Sequence, residues 1–187
     1  MVGDEDHGAL LDRDGDPVRG RVHALLLRLH VLPALNERLD DRALDGARIR
    51  AGDTVADIGG GAGLRTQSVV ERVGPDGDVL ALDMSVDALE QLRANMSAPN
   101  VSYLIGRADV LPLMDASVDA LVASSALIDV EDRAEAASEF LRVLRNGGRV
   151  SMLEREQDPS WEQLFRGAGF SDVRTDPAAP YLTAVKP

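Results

Sequence analysis

The sequence predicts a three-layer α/β/α domain. Two observations carry that reading. Short apolar runs of strand length alternate with longer amphipathic stretches of helical period, the pattern of βαβ units and a parallel sheet covered on both faces. The first of these runs, Thr54–Ile58, stops at a glycine-rich loop, DIGGGAGL at residues 57–64. In an open α/β sheet the first βα turn is where ligands bind.

The elements follow in order. Residues 1–16 are acidic and polar and are expected to be disordered. Residues 17–45 read as helical, with Val18, Val22, Leu25, Leu26, Leu29 and Leu32 on one stripe and Pro33 as a kink or stop. After Thr54–Ile58, residues 64–73 read as a helix and Gly74–Gly77 as a turn. Residues 79–83 are a strand. Residues 85–96 are a helix with Ser85 as N-cap and Val86, Leu89, Leu92 and Met96 on one face. Strands are expected at 101–105 and 118–124. Residues 131–145 read as an amphipathic helix with Ala134, Ala137, Phe140, Leu141 and Leu144 inward, ended by Gly147 and Gly148. A fifth strand covers 149–154, a helix spans WEQLFRGAG, and SDVRT and YLTAV close the chain as strands. That makes seven strands, with 17–187 as one domain and no linker or repeat.

Composition narrows the function. The chain has 187 residues, a formal net charge of −12 and no cysteine. Its length suits one domain with a real core. The negative charge argues against nucleic acid as partner, because phosphate binding needs basic clusters. The missing cysteines exclude disulfides, thiolate metal sites and thiol-relayed chemistry such as arsenic methylation. No apolar run reaches the ~18–20 residues of a membrane span. The acidic N-terminus lacks the basic-then-apolar order of a signal peptide, so a cytoplasmic location is expected. No metal site is expected.

The loop itself discriminates among nucleotide folds. A dinucleotide fingerprint needs a third glycine to pack helix on strand, and counting from Gly59 that position is Leu64. A phosphate-binding P-loop needs Gly-Lys-Ser/Thr, which is absent. The observed spacing is Asp57, Gly59, Gly61, Gly63. Asp83 lies twenty residues after Gly63, at a strand end, where a carboxylate can accept both hydroxyls of a ribose.

Here the sequence resembles the class I S-adenosylmethionine-dependent methyltransferases. VADIGGGAG resembles their first motif and LALDMS their second. GRADVLPLMDASVDALVAS resembles their third and fourth strand region, and FLRVLRNGGRV the run before the fifth strand. The resemblance covers about residues 45–155. It implies a Rossmann-like sandwich with a seven-stranded, mostly parallel sheet whose last strand is antiparallel. It also implies that S-adenosylmethionine is the cofactor. By resemblance, Gly59, Gly61 and Gly63 pass under its methionine and ribose part, and Asp57 helps position the ammonium end. Asp83 takes the ribose, Met84 packs on the adenine, and Ala108, Asp109 and Val110 edge it. Ser124 and Ser125 lie near the methionine moiety. The N-terminal helical segment, 17–45, is implied as a lid.

The resemblance implies methyl transfer to a small organic acceptor, in specialised metabolism. An oxygen acceptor usually needs a base. His23 and His30 lie seven apart on one side of the first helix, and Glu154 ends a strand on the ligand side; these three are the catalytic candidates. After the fourth strand, SSALIDV places Leu127 and Ile128 where the family often has polar residues. After the fifth strand only Asp158 and Pro159 separate RVSMLEREQ from SWEQLFRGAGF, where many relatives insert a pocket wall. A homodimer mate or a partner subunit completing the pocket would fit that short connection. So would two other readings: a non-methylating enzyme of the same fold, catalysing cyclisation, decarboxylation or hydroxylation, or a non-catalytic methyltransferase-like subunit.

Overall fold

The computed structural model describes residues 41–60, 63–124, 130, 132–153, 158–176 and 181–187. All lie within the unit Leu39–Pro187. Residues 41–47 are helical and are called α1. Then follow β1 (Thr54–Ile58), α2 (Leu64–Val73), β2 (Asp78–Asp83), α3 (Val86–Asn95), β3 (Val101–Ile105) and β4 (Val118–Ser124). The unit finishes with α4 (Arg133–Val143), β5 (Leu144–Leu153), α5 (Ser160–Ala168), β6 (Ser171–Thr175) and β7 (Tyr181–Val185).

The seven strands form one sheet in the order β3-β2-β1-β4-β5-β7-β6. Neighbours from β3 through β5 are parallel, and β7 runs antiparallel to both β5 and β6. The strand order reverses between β1 and β4, which opens a crevice at their carboxyl ends.

Strand alternation divides the core between two faces. Ala56, Ile58, Leu82, Leu121 and Ala123 point toward α4 and α5 and join Phe140, Trp161, Phe165 and Phe170. Phe165 stacks on Phe170 with centroids 4.9 Å apart and meets Phe140 and Trp161 edge-on, which fastens α5 to the sheet. On the other face Val55, Val79, Ala120 and Val122 pack against Leu44 and Ala47 of α1 and Val69 and Val73 of α2. Asp57 belongs to this second face, between Val55 and α2.

Helix starts follow capping chemistry. Ser85 accepts a hydrogen bond from the Ala88 amide, and Asp132 accepts from the Ala134 and Glu135 amides. The connection 106–117 between β3 and β4 contains no helix. It is fixed from outside instead. Arg142 donates to the carbonyl oxygens of Leu111 and Leu113, and Glu139 accepts from the Leu111 amide. Leu111 and Ala108 are thereby pressed into the core.

Two expectations need correction. Gly147 and Gly148 do not end a helix. The helix stops at Val143, and β5 starts at once with Leu144 paired to Val118. Gly147, at φ 75°, lets the strand bulge. Its amide donates to the Lys186 carbonyl, and the Lys186 amide donates to the Gly148 carbonyl. Ala134 is exposed; the buried stripe is Ala136, Ala137, Phe140 and Val143, with Leu141 half-buried. Starting the helix at Asp132 sets that phase.

Candidate functional site

The carboxyl ends of β1, β2 and β3 converge on the glycine loop. Gly59 leaves β1 at φ 71°, a left-handed conformation that side chains rarely adopt, and its amide donates to the Leu82 carbonyl at 2.8 Å. The loop exit is bound to the end of β2. Gly63 caps α2 at φ 97°, and a Cβ there would collide with Leu92 Cδ1. The chain therefore enters α2 close against the Leu92 side chain of α3, a passage that suits glycine.

Asp57 is fully buried, and the protein engages both of its oxygens. Oδ1 accepts from Arg65 Nε at 2.8 Å and Nη2 at 2.6 Å, and Oδ2 accepts from the Thr66 hydroxyl at 2.7 Å. Arg65 Nη2 also donates to the Ile58 carbonyl. The first turn of α2 thus clamps the last residues of β1. Gly60 lies over this clamp: a Cβ there would sit 2.8 Å from Thr66 Oγ1 and 3.1 Å from Asp57 Oδ2. Arg65, Thr66 and Gly60 were not among the residues singled out from sequence. The available signal was an arginine directly after the loop with a buried carboxylate eight residues before it.

Asp83 ends β2, half-buried. Its Oδ1 accepts from the Ser85 amide at 2.9 Å, and Oδ2 has no bond among the described residues. Asp109 is buried beneath the loop after β3. Arg107 grips it twice, Nε on Oδ1 at 2.9 Å and Nη2 on Oδ2 at 2.7 Å. That bidentate bond holds the Asp109 carboxyl below its ordinary value of 3.8, against the opposing effect of desolvation.

Apolar side chains collect at the same end of the sheet. Leu64 follows the loop, Met84 and Val86 follow β2, Ile105 ends β3 and Val110 follows it. Each is at least half exposed, Met84 at 63%. Ala108 is buried behind them. An exposed apolar rim around one half-buried carboxylate suits a ligand with an apolar part and a hydroxyl-bearing part. Of the candidates read from the sequence, the structure brings together Gly59, Gly63, Asp83, Met84, Ala108, Asp109 and Val110 around the ends of β1 to β3. Ser124 closes β4. His23, His30, Gly61, Ser125 and Glu154 lie outside the described residues. Among the described residues no His/Asp/Glu group could hold a metal ion, and no helix is long and apolar enough to cross a membrane.

Residues that could hold S-adenosylmethionine are therefore present: an open carboxylate oxygen for the ribose, an apolar rim for the adenine, and glycines at 59, 60 and 63 where the backbone stands bare.

Comparison with known proteins agrees. The family model for the methyltransferase domain matches residues 56–152. The chain is 36% identical over 115 residues to a ubiquinone/menaquinone biosynthesis C-methyltransferase of Hahella chejuensis, covering 59% of this chain and 46% of that one. It is 31% identical over 134 residues to an arsenite methyltransferase of Halobacterium salinarum, covering 70% of this chain and 32% of that one. The chain thus spans less than half the length of these curated relatives. Among solved structures, a methyltransferase in complex with the Haloferax volcanii Trm112 activator superposes with a TM-score of 0.72 at 20% identity, covering 90% of this chain and 94% of that one. The [4+2]-cyclase SpnF superposes with a TM-score of 0.64 at 21% identity, covering 74% and 58%. With the matched model spanning β1 to β5 and the glycine loop in its place, the chain belongs to the class I S-adenosylmethionine-dependent methyltransferase family.

Proposed function

We propose that this protein binds S-adenosylmethionine at the glycine loop and transfers its methyl group to a small organic acceptor of specialised metabolism. The observation that carries the reading is the rim of Leu64, Met84, Ile105 and Val110 around the half-exposed Asp83. Bound there, the cofactor supplies a methyl group already activated on a sulfonium.

The chain's own residues have a limited task. Asp83 accepts from the ribose hydroxyls while the Ser85 amide fixes its orientation. Met84, Ile105 and Val110 shield the adenine from water, and Ala108 leaves room behind it. Asp109, pinned by Arg107, shapes the loop under the adenine and keeps lone pairs for its amino group. Asp57 acts on the ammonium end through the clamp: with both oxygens engaged by Arg65 and Thr66, it holds the loop backbone in place. Alignment and exclusion of water then account for most of the rate, since displacement at an activated methyl asks mainly for an in-line acceptor. By the family resemblance Ser124 and Ser125 would lie near the methionine moiety, and His23, His30 and Glu154 are the candidates for a base.

The similarity to an arsenite methyltransferase does not extend to arsenic, because the chain has no cysteine to relay it. A second reading has one observation in its favour: only residues 154–159 connect β5 to α5, which leaves little chain to wall an acceptor pocket. In that reading the bound cofactor supports a non-methylating reaction, or a homodimer mate or partner subunit completes the site. Mass spectrometry separates methyl transfer from the non-methylating reaction. The protein is incubated with S-adenosylmethionine carrying an isotopically labelled methyl and a small-molecule extract. Appearance of a labelled product together with S-adenosylhomocysteine supports methyl transfer. A transformed product without label refutes it.

A further inference from the structure

We propose that the face of the sheet formed by β5, β7 and β6 on the α1 side is a second ligand site, and that it takes a small organic oxyanion, a carboxylate or a phosphate ester. The site is separate from the cofactor crevice. A cavity of about 450 Å³ lies there, and none of the glycine loop, Asp83 or the apolar rim lines it.

Its wall carries four arginines, three aspartates and the hydroxyls of Tyr181 and Thr183. Arg149 lines the cavity and is 8% exposed. One edge of its guanidinium is used: Nη2 donates to Asp53 at 2.6 Å. Its Nε is buried and donates to nothing. Two residues along β5, on the same face, Ser151 is fully buried and its Oγ makes no hydrogen bond of good geometry. Ser151 has the Tyr181 hydroxyl close to it, so Arg149 Nε is the buried donor left without an acceptor among the described residues. A buried donor without an acceptor is costly and rare, so the Arg149 Nε–H beside a polar cavity points to a group that arrives from outside.

The remaining charges agree. The acids around the cavity are engaged: Asp172 with Arg174, Asp176 with Arg42, and Asp45 with Arg72. Arg48, on the cavity wall, makes no ion pair among the described residues. It is held at φ 48°, an unusual backbone for arginine and the kind of strain that gathers at binding sites. Tyr181 pairs with Leu153 across the β5–β7 ladder, and its hydroxyl reaches beneath α1. It passes there because residue 46 is glycine: a Cβ at Gly46 would collide with Tyr181 Oη. Burial pushes the Tyr181 hydroxyl up, against the smaller opposing effect of the Ser151 hydroxyl near it, so at neutral pH it keeps its proton and donates. With Thr183 it adds hydroxyl donors to the two arginines. Such a wall recognises an acceptor-rich group, and the volume admits one attached to a small carbon skeleton.

The test uses the full chain with citrate and inorganic phosphate as probes, each titrated at constant ionic strength made up with sodium chloride. Binding is read by calorimetry and by the arginine Nε–H signals in proton–nitrogen spectra. Saturable binding of either probe is expected, with one buried Nε–H signal moving and that signal missing in Arg149→Gln. Citrate alone would assign a carboxylate, phosphate alone a phosphate ester. Arg48→Glu, an exposed substitution, should weaken binding at least about tenfold, while Arg93→Glu on exposed α3 should not. S-adenosylmethionine affinity should be the same in Arg48→Glu as in the parent. Absence of saturation by both probes, or equal binding by Arg48→Glu and the parent, overturns the proposal.

Discussion

Replacing Arg65 by methionine tests whether the clamp at Asp57 organises the loop. The pair is buried on both sides, with Asp57 at 0% and Arg65 at 6% side-chain exposure. The substitution removes two hydrogen bonds to Asp57 and one to the Ile58 carbonyl. It leaves a carboxylate in the core with only the Thr66 hydroxyl. Breaking a buried pair from one side costs about 3–5 kcal/mol. Total stability of a domain is about 5–15 kcal/mol, so the loss is a large share of it. For a chain of this size it lowers the melting temperature by about 6–20 °C, at roughly 2–4 °C per kcal/mol. Urea unfolding followed by the fluorescence of Trp161, the single tryptophan, measures it directly. The double variant Asp57→Asn, Arg65→Met leaves no buried charge and should recover part of the loss, with a coupling of about 1–3 kcal/mol. A single variant within about 1 kcal/mol of the parent would refute the clamp.

Other expectations are simpler. Gly63→Ala forces a Cβ against Leu92 Cδ1 at φ 97°, and it should destabilise by about 1–3 kcal/mol and weaken cofactor affinity, both seen in one calorimetric series. Asp132→Ala leaves the Ala134 and Glu135 amides without an acceptor; a loss of about 1 kcal/mol is expected in urea unfolding. Stability should also fall in acid. The Arg142 guanidinium, with the Leu111 amide, holds Glu139 below its ordinary 4.5. Its contribution is present above pH 4.5 and is lost as pH falls through the lower folded value. In Glu139→Gln the acid limb of the stability profile should be shallower; an unchanged limb would sink that assignment.

Much of the fold was legible because its signals are local. Residues 64–73, 101–105, 118–124, 171–175 and 181–185 carry their period or their bounding glycines within themselves, and the structure matches those spans. The run Leu144–Gly148 misled for the opposite reason. Asn146-Gly147-Gly148 reads as a helix stop, but the backbone groups of this run find partners in Val118 and Lys186, which no local pattern announces. The site divides the same way. Asp83 and the apolar residues after β2 and β3 stand at strand ends, so spacing finds them. The Arg65 clamp needs the side chains' directions. The Arg149–Asp53 pair joins residues 96 apart, and the cavity beside it exists only once β7 has folded back between β5 and β6.

Whether the glycine loop wraps S-adenosylmethionine is tested most directly by calorimetric titration with S-adenosylmethionine and S-adenosylhomocysteine. NADH serves as decoy and Asp83→Ala as control. Saturable binding of both ligands is expected, with none of NADH. Asp83→Ala should bind at least tenfold more weakly (about 1.4 kcal/mol) with its melting temperature preserved. Binding that survives unchanged in Asp83→Ala, or no binding of either ligand to the folded protein, would contradict the assignment of the loop.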